Sequence, residues 1–197
     1  MNAHDLLWGM TTAHLPADAP AWAVQAIGAG HPVVVRRAIA ESGQVAVGVR
    51  GHLREQRFAA QMPVAAVRRR VIPEALRGVT STRDLPVLRA LEALRPVLAN
   101  EAWGISGSAG FELATGIEAL HAQSDLDLIL RAPKPLARGD AKDLLAILDT
   151  AVCVVDVQLQ TPFGAVALRE WAGPSRRVLL KTSSGAHLVL DPWQAVA

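Results

Sequence analysis

Cysteine is almost missing from this chain of 197 residues: Cys153 is the only one. An intrachain disulfide is therefore impossible, and a zinc site built on cysteines has no second thiolate to draw on. Cys153 lies in the apolar run Ala151-Val152-Cys153-Val154-Val155, where the expectation is a buried, inert thiol rather than a nucleophile. Long apolar runs are missing too. The stretch from Ile147 to Val157 is interrupted by Asp149 and Asp156 and falls short of the ~20 residues a bilayer helix needs. The first ten residues carry no basic cluster, and Leu6-Leu7-Trp8 is too short for a secretory core, so the expected compartment is the cytoplasm, with no membrane partner. No fixed-period repeat or low-complexity tract is present, which disfavours a solenoid or propeller. His14, His31, His52, His121 and His187 show no metal-ligand spacing. Nor is one sign of charge in excess: 20 Lys+Arg against 18 Asp+Glu give a formal net charge of +2, which by itself points to no nucleic acid.

What is present suffices for a folded core, with 51% hydrophobic and 19% charged residues. Arginines cluster in the first half: Arg36-Arg37, the run from Arg50 through Arg54 to Arg57, and Arg68-Arg69-Arg70. Each cluster suits either a solvated basic face or a surface that meets phosphate or an acidic protein. Ala21 to Ala29 reads as a short helix, and the β-rich runs 32–38 and 44–50 read as an antiparallel pair turning at Glu41-Ser42-Gly43. After Gly51 the apolar spacing turns helical, and Pro73 to Arg77 opens a turn of helix. Leu85, Leu88, Leu91, Leu94 and Leu98 recur every three to four residues, the stripe of an amphipathic helix. Strand signals follow at 124–130, 151–160, 177–181 and 187–190, with a helix at 141–148. The expected architecture is α+β: a smaller N-terminal α+β domain over 1–82, then a domain with a mixed sheet over 83–197.

The chemistry gathers in the second half. In Ser124-Asp125-Leu126-Asp127-Leu128 the two acids are two positions apart, so on a strand their carboxylates leave one face with Cα atoms about 6.6 Å apart. Carboxylates that close repel each other, and a divalent cation turns the repulsion into binding; Mg²⁺ is the hard-oxygen candidate. Asp156 lies on a second apolar strand, where an acid needs a partner or a metal. If the strands are neighbours, Asp125, Asp127 and Asp156 form a metal-binding and catalytic trio for phosphoryl or nucleotidyl transfer. The turn at Gly107-Ser108 would offer N–H groups and a hydroxyl to phosphate oxygens, and Arg50, ending a strand beside Gly51, is the preferred arginine for phosphate. Glu112, close after the glycine turn, reads as a structural or helix-capping acid, with assistance to the metal or binding of ribose as the alternative. The Asp-x-Asp pair alone also suits two exposed acids on an edge strand.

Gly-Ser, then Asp-hydrophobic-Asp, then a later strand acid resembles the signature of the nucleotidyltransferase superfamily, which implies a polymerase-β-like catalytic domain. The separation of Ser108 from Asp125 is longer than usual there and leaves the path of 111–123 open. A closer resemblance draws on His4-Asp5-Leu6-Leu7-Trp8, Pro32 to Arg37, Val47 to Gly51, Gly107 to Gly116, Ser124 to Leu128 and Asp191-Pro192-Trp193. Together these resemble the holo-acyl-carrier-protein synthases of malonate decarboxylase, the phosphoribosyl-dephospho-CoA transferases. The resemblance implies transfer of a phosphoribosyl-dephospho-CoA group from triphosphoribosyl-dephospho-CoA to a serine of the malonate decarboxylase acyl carrier subunit, with release of pyrophosphate. A different Mg²⁺-dependent enzyme that transfers AMP, and a non-catalytic carrier-binding module, stay open as alternatives.

Overall fold

A computed structural model describes residues 1–53 and 55–195; Arg54 of the basic run lies outside the described residues. The chain divides into two compact units, Met1–Ile72 and Pro73–Ala197. Both carry helices and a sheet, which makes the chain α+β.

In the first unit the strands β1 (Leu6–Trp8), β2 (Val33–Val35), β3 (Gln44–Arg50), β4 (Arg57–Pro63) and β5 (Arg69–Val71) form one sheet of order β4-β3-β2-β1-β5. Every pairing in it is antiparallel. Helix α1 (Ala21–Gly28) adds Ala23 and Ile27 to a core that also holds Leu7, Val33, Val47 and Met62. The helical spacing after Gly51 gives way to β4, which pairs with β3 along its whole length, from Arg50↔Arg57 to Gln44↔Pro63. The reason is the alternation of Phe58, Ala60 and Met62, all packed on the core. In so short a window the apolar residues fit either period, and a full-length partner strand settles the choice. The fully buried Asp5 carboxylate fastens the start of this unit, accepting from the Asn2 N–H at 2.7 Å and from Arg70 Nε at 2.8 Å.

The second unit carries α2 (Pro86–Val97), β6 (Trp103–Ile105), α3 (Gly107–Thr115), β7 (Leu126–Arg131) and α4 (Arg138–Leu148). Then follow β8 (Val155–Thr161), β9 (Gly164–Ala167), α5 (Leu168–Ala172), β10 (Val178–Lys181) and β11 (Ala186–Val189). Helix α2 opens with Pro86, whose missing N–H costs nothing at that position, and buries the expected stripe of Val87, Leu88, Leu91 and Leu94. The six strands run in the order β11-β10-β9-β8-β7-β6. Only β7 and β8 pair in parallel, joined through α4, so the sheet is mixed as expected.

The units divide before the boundary expected at 82/83. The 3-10 turn Pro73–Leu76 belongs to the second unit because Pro73 packs on Gly104 of β6, and Glu74 accepts from Arg131 Nε of β7 at 2.6 Å. At the other end Trp193 packs edge-on to Trp171, ring centroids 5.2 Å apart, and its Nε1 donates to the Ala132 carbonyl at 2.7 Å. No helix among the described residues is long and apolar enough to cross a membrane.

Candidate functional site

Strand register places the acids. Asp127 is the second residue of β7 and Asp156 the second of β8, and the two are direct partners across the parallel ladder. Alternation sends Leu126 and Leu128, with Val155 and Val157, to the buried face and leaves both carboxylates on the other. Asp156 is exposed and Asp127 half-buried. The third expected acid, Asp125, stands one residue before β7, which begins at Leu126 rather than at Ser124. Its charge acts on the Cys153 thiol. Among the described residues, no group of three or more Asp, Glu, His or Cys side chains could hold a metal ion. The structure therefore joins Asp127 and Asp156 in register, with Asp125 at the entrance to the strand.

Gly107-Ser108 is the start of α3 rather than a free-standing turn. Ser106, which precedes the helix in extended conformation, donates its N–H to the Asp127 carbonyl at 2.9 Å, and this bond seats the helix start on β7. Gly107 has φ +60°, and a Cβ there would come within 1.8 Å of Asp127 Oδ2. Only glycine lets the chain turn beside the carboxylate in this way. The first turn of α3, which contains Ser108, thus begins against Asp127, and the positive end of the helix faces the acid pair's surroundings.

The path of 111–123, open at the sequence level, is fixed by Glu112. Helix α3 ends at Gly116, whose φ of +74° suits only glycine well, and the chain then folds back over the helix end. The buried Glu112 carboxylate accepts from the Ala119 N–H at 2.7 Å and the Leu120 N–H at 2.9 Å, and from Arg83 Nη1 at 2.7 and 2.9 Å. Burial pushes the Glu112 carboxyl up, but the Ala119 N–H, the Arg83 guanidinium and the Leu120 N–H together hold it below the ordinary carboxylate value. Glu112 is a structural acid, as its sequence reading has it. Because its folded value is depressed, its stabilisation is complete above about pH 4.3, the unfolded value, and is lost as pH falls through the folded one. Glu112→Gln should lower the unfolding free energy by about 2 kcal/mol at pH 7. Urea titrations should show the gap to wild type closing below about pH 4.

Sequence reasoning missed one charged pair beside the acids. Arg169, in α5, donates from Nη2 to Asp149 Oδ1 at 2.6 Å and from Nη1 to Asp149 Oδ2 at 3.3 Å. The Asp149 hydrogen bond raises the guanidinium above its ordinary value; burial opposes this, and the charges of Asp149 and then Asp156 add to it. Nothing in the local sequence sets Arg169 apart, since Leu168-Arg169-Glu170 forms no motif and Asp149 reads only as a break in an apolar run. Asp127, Leu148, Asp156, Gln158, Arg169 and Lys181 all line one cavity of about 230 Å³. Cys153, expected to be buried on a strand, lies in the loop before β8, with Val152 65% and Val154 61% exposed. Burial first, then the Asp125 charge, pushes its thiol up, which disfavours the thiolate.

Arg50 ends β3 in the first unit. That unit also has a larger groove of about 650 Å³, bordered by His14, Arg36, Ile39 and Glu41. It holds none of the candidate acids, so chemistry rather than volume selects the smaller cavity.

Comparison with known proteins gives a consistent match over the chain. The profile of the phosphoribosyl-dephospho-CoA transferase MdcG N-terminal domain matches residues 2–73, and that of the C-terminal domain matches residues 75–192. A phosphoribosyl-dephospho-CoA transferase of Pseudomonas fluorescens is 63% identical over 193 residues, covering 97% of this chain and 94% of the relative. One from Azotobacter vinelandii is 57% identical over 201 residues, covering 98% and 95%. One from Pseudomonas aeruginosa is 55% identical over 195 residues, covering 97% and 93%. No solved structure matches the chain.

Proposed function

We infer the reaction from one premise: the chain belongs to the phosphoribosyl-dephospho-CoA transferase family and is a transferase. The donor is triphosphoribosyl-dephospho-CoA, and the acceptor is a serine hydroxyl of the malonate decarboxylase acyl carrier subunit, with both partners meeting in the cytoplasm. The serine oxygen attacks the phosphorus nearest the ribose. A new P–O ester bond forms, the bond from that phosphorus to the bridging oxygen breaks, and pyrophosphate leaves with the electron pair.

The observation that supports this reading is the cross-strand pair Asp127 and Asp156, set against the start of α3. Two facing carboxylates suit Mg²⁺, which is commonly held by one or two carboxylates and keeps its other positions for phosphate oxygens and water. Asp127 and Asp156 would hold it, with Asp125 beside them; when bound, it would neutralise charge on the phosphoryl oxygens. Asp156, the more exposed of the pair, accepts the serine proton or shares in ligation. The hydroxyl of Ser108 and the N–H groups around Gly107 meet phosphate oxygens at the helix start. Within the first unit, Arg50 at the end of β3 is the arginine we assign to phosphate.

The test is to incubate the protein with apo carrier and Mg²⁺, adding either ATP or triphosphoribosyl-dephospho-CoA, and to weigh the carrier. We expect the mass to rise by one phosphoribosyl-dephospho-CoA group with the second donor and not to change with ATP. An AMP adduct as the sole product would overturn the reading.

A further inference from the structure

We propose that Arg169 is the group that receives the leaving pyrophosphate, and that Asp149 is the positioning residue that holds it there. This inference rests on the reaction proposed above and adds a residue to it.

Three observations meet at this place. Arg169 and both carboxylates of the facing pair line the same cavity. The guanidinium is clamped by two bonds to Asp149, which stands directly after α4 where the chain turns back toward β8. Those bonds use two of the five N–H donors of an arginine, and no described side chain other than Asp149 is within hydrogen-bonding distance of the rest. A forked cation held rigid at one side and open at the other suits a polyphosphate. Arg169 also lies near enough to Asp156 for that charge to act on it, so the forked cation and the acid pair would meet the same polyphosphate.

During transfer the phosphorus gains its bond to the serine oxygen and loses its bond to the bridging oxygen. The electron pair of the broken bond goes to pyrophosphate, and the serine proton goes to a carboxylate. The negative charge that builds on the leaving group is therefore met by Arg169, which its two bonds to Asp149 already orient. Lys181 also lines the cavity, but it is in register with Ala165, and Ala165 with Gln160. That row lies four positions along β8 from Asp156, about 13 Å away. Lys181 therefore serves as a control for a cation in the cavity but away from the acids.

The experiment titrates magnesium pyrophosphate into the full chain by calorimetry, with neither donor nor carrier present. We expect Arg169→Gln to weaken binding at least tenfold, Arg169→Lys to recover part of the loss, Asp149→Asn to weaken it severalfold, and Lys181→Gln to change it less than twofold. In turnover, Arg169→Gln should raise KM for the donor and leave KM for the carrier unchanged. Circular dichroism checks the fold, and because Arg169 is half exposed the variant should keep it. Equal binding of wild type and Arg169→Gln would overturn the proposal, as would equal losses in Arg169→Gln and Lys181→Gln or a wild type that does not bind pyrophosphate at millimolar concentration. Asp127→Asn separates this inference from the metal reading. If that variant binds as wild type does while Arg169→Gln does not, the metal reading fails and Arg169 keeps its role.

Discussion

Replacing Asp127 by Asn should lower the rate of transfer to the carrier by roughly a hundred- to a thousand-fold, with the unfolding midpoint and circular dichroism close to those of wild type. Asn keeps the size and one acceptor oxygen of the side chain but removes the charge, so the site keeps its shape and loses the charge by which it is proposed to hold a cation. Asp127 is half-buried, and its main-chain carbonyl, which receives the Ser106 N–H, is untouched by the substitution. Asp156→Asn should show a loss of similar order, since each acid has the other as its direct cross-strand partner. Single-turnover rates at saturating donor give the comparison. If both variants transfer the group at the wild-type rate, the facing carboxylates do not carry the chemistry.

Gly107→Ala should be almost as damaging, although it adds only one methyl group. The new Cβ would have to occupy space 1.8 Å from Asp127 Oδ2 and 2.8 Å from Asp127 Cβ, and it would do so at a backbone φ of +60°. Either the helix start retreats from β7 or the carboxylate swings away, and both outcomes separate the acid from the first turn of α3. We expect a loss of roughly a hundred-fold in the rate, with stability lower by about 1–2 kcal/mol from the left-handed backbone and the crowding. The double variant Gly107→Ala/Asp127→Asn should be little worse than Asp127→Asn alone, because both changes act through one carboxylate. Additive losses in that cycle would show that Gly107 acts elsewhere.

Much of the second unit is legible in the sequence because its signals are local. The leucine stripe of α2, the strands around Asp127 and Asp156, and the β10 and β11 runs all follow from periodicity. The fold class follows as well. What escaped depends on partners distant in the chain. β4 has an ambiguous apolar pattern until β3 lies beside it. The start of α3 reads as a glycine turn because the bond that fixes it, from Ser106 to the Asp127 carbonyl, joins two distant segments. The course of 116–123 is set by one buried carboxylate, and Glu112 reveals its role only once Arg83, Ala119 and Leu120 surround it. Around the candidate site, the strand positions of Asp127 and Asp156 were readable from their pattern. Arg169 was not, since its place depends on how α5 lies beside the end of α4.

The single parallel pairing in the second sheet has a consequence for how this protein becomes competent. Asp127 and Asp156 stand twenty-nine positions apart in the chain and meet only after an entire strand–helix–strand crossover has closed. Hairpins such as β10–β11 assemble from neighbours, whereas this contact has to bear the entropy of a long loop before any ladder bond rewards it. No local fragment of the chain can carry the acid pair, and a partly folded molecule has separated carboxylates that offer little grip to a cation. On the proposed role of the acid pair, chemical competence is coupled to completion of the sheet, and an incompletely folded copy would remain inert toward a reactive triphosphate.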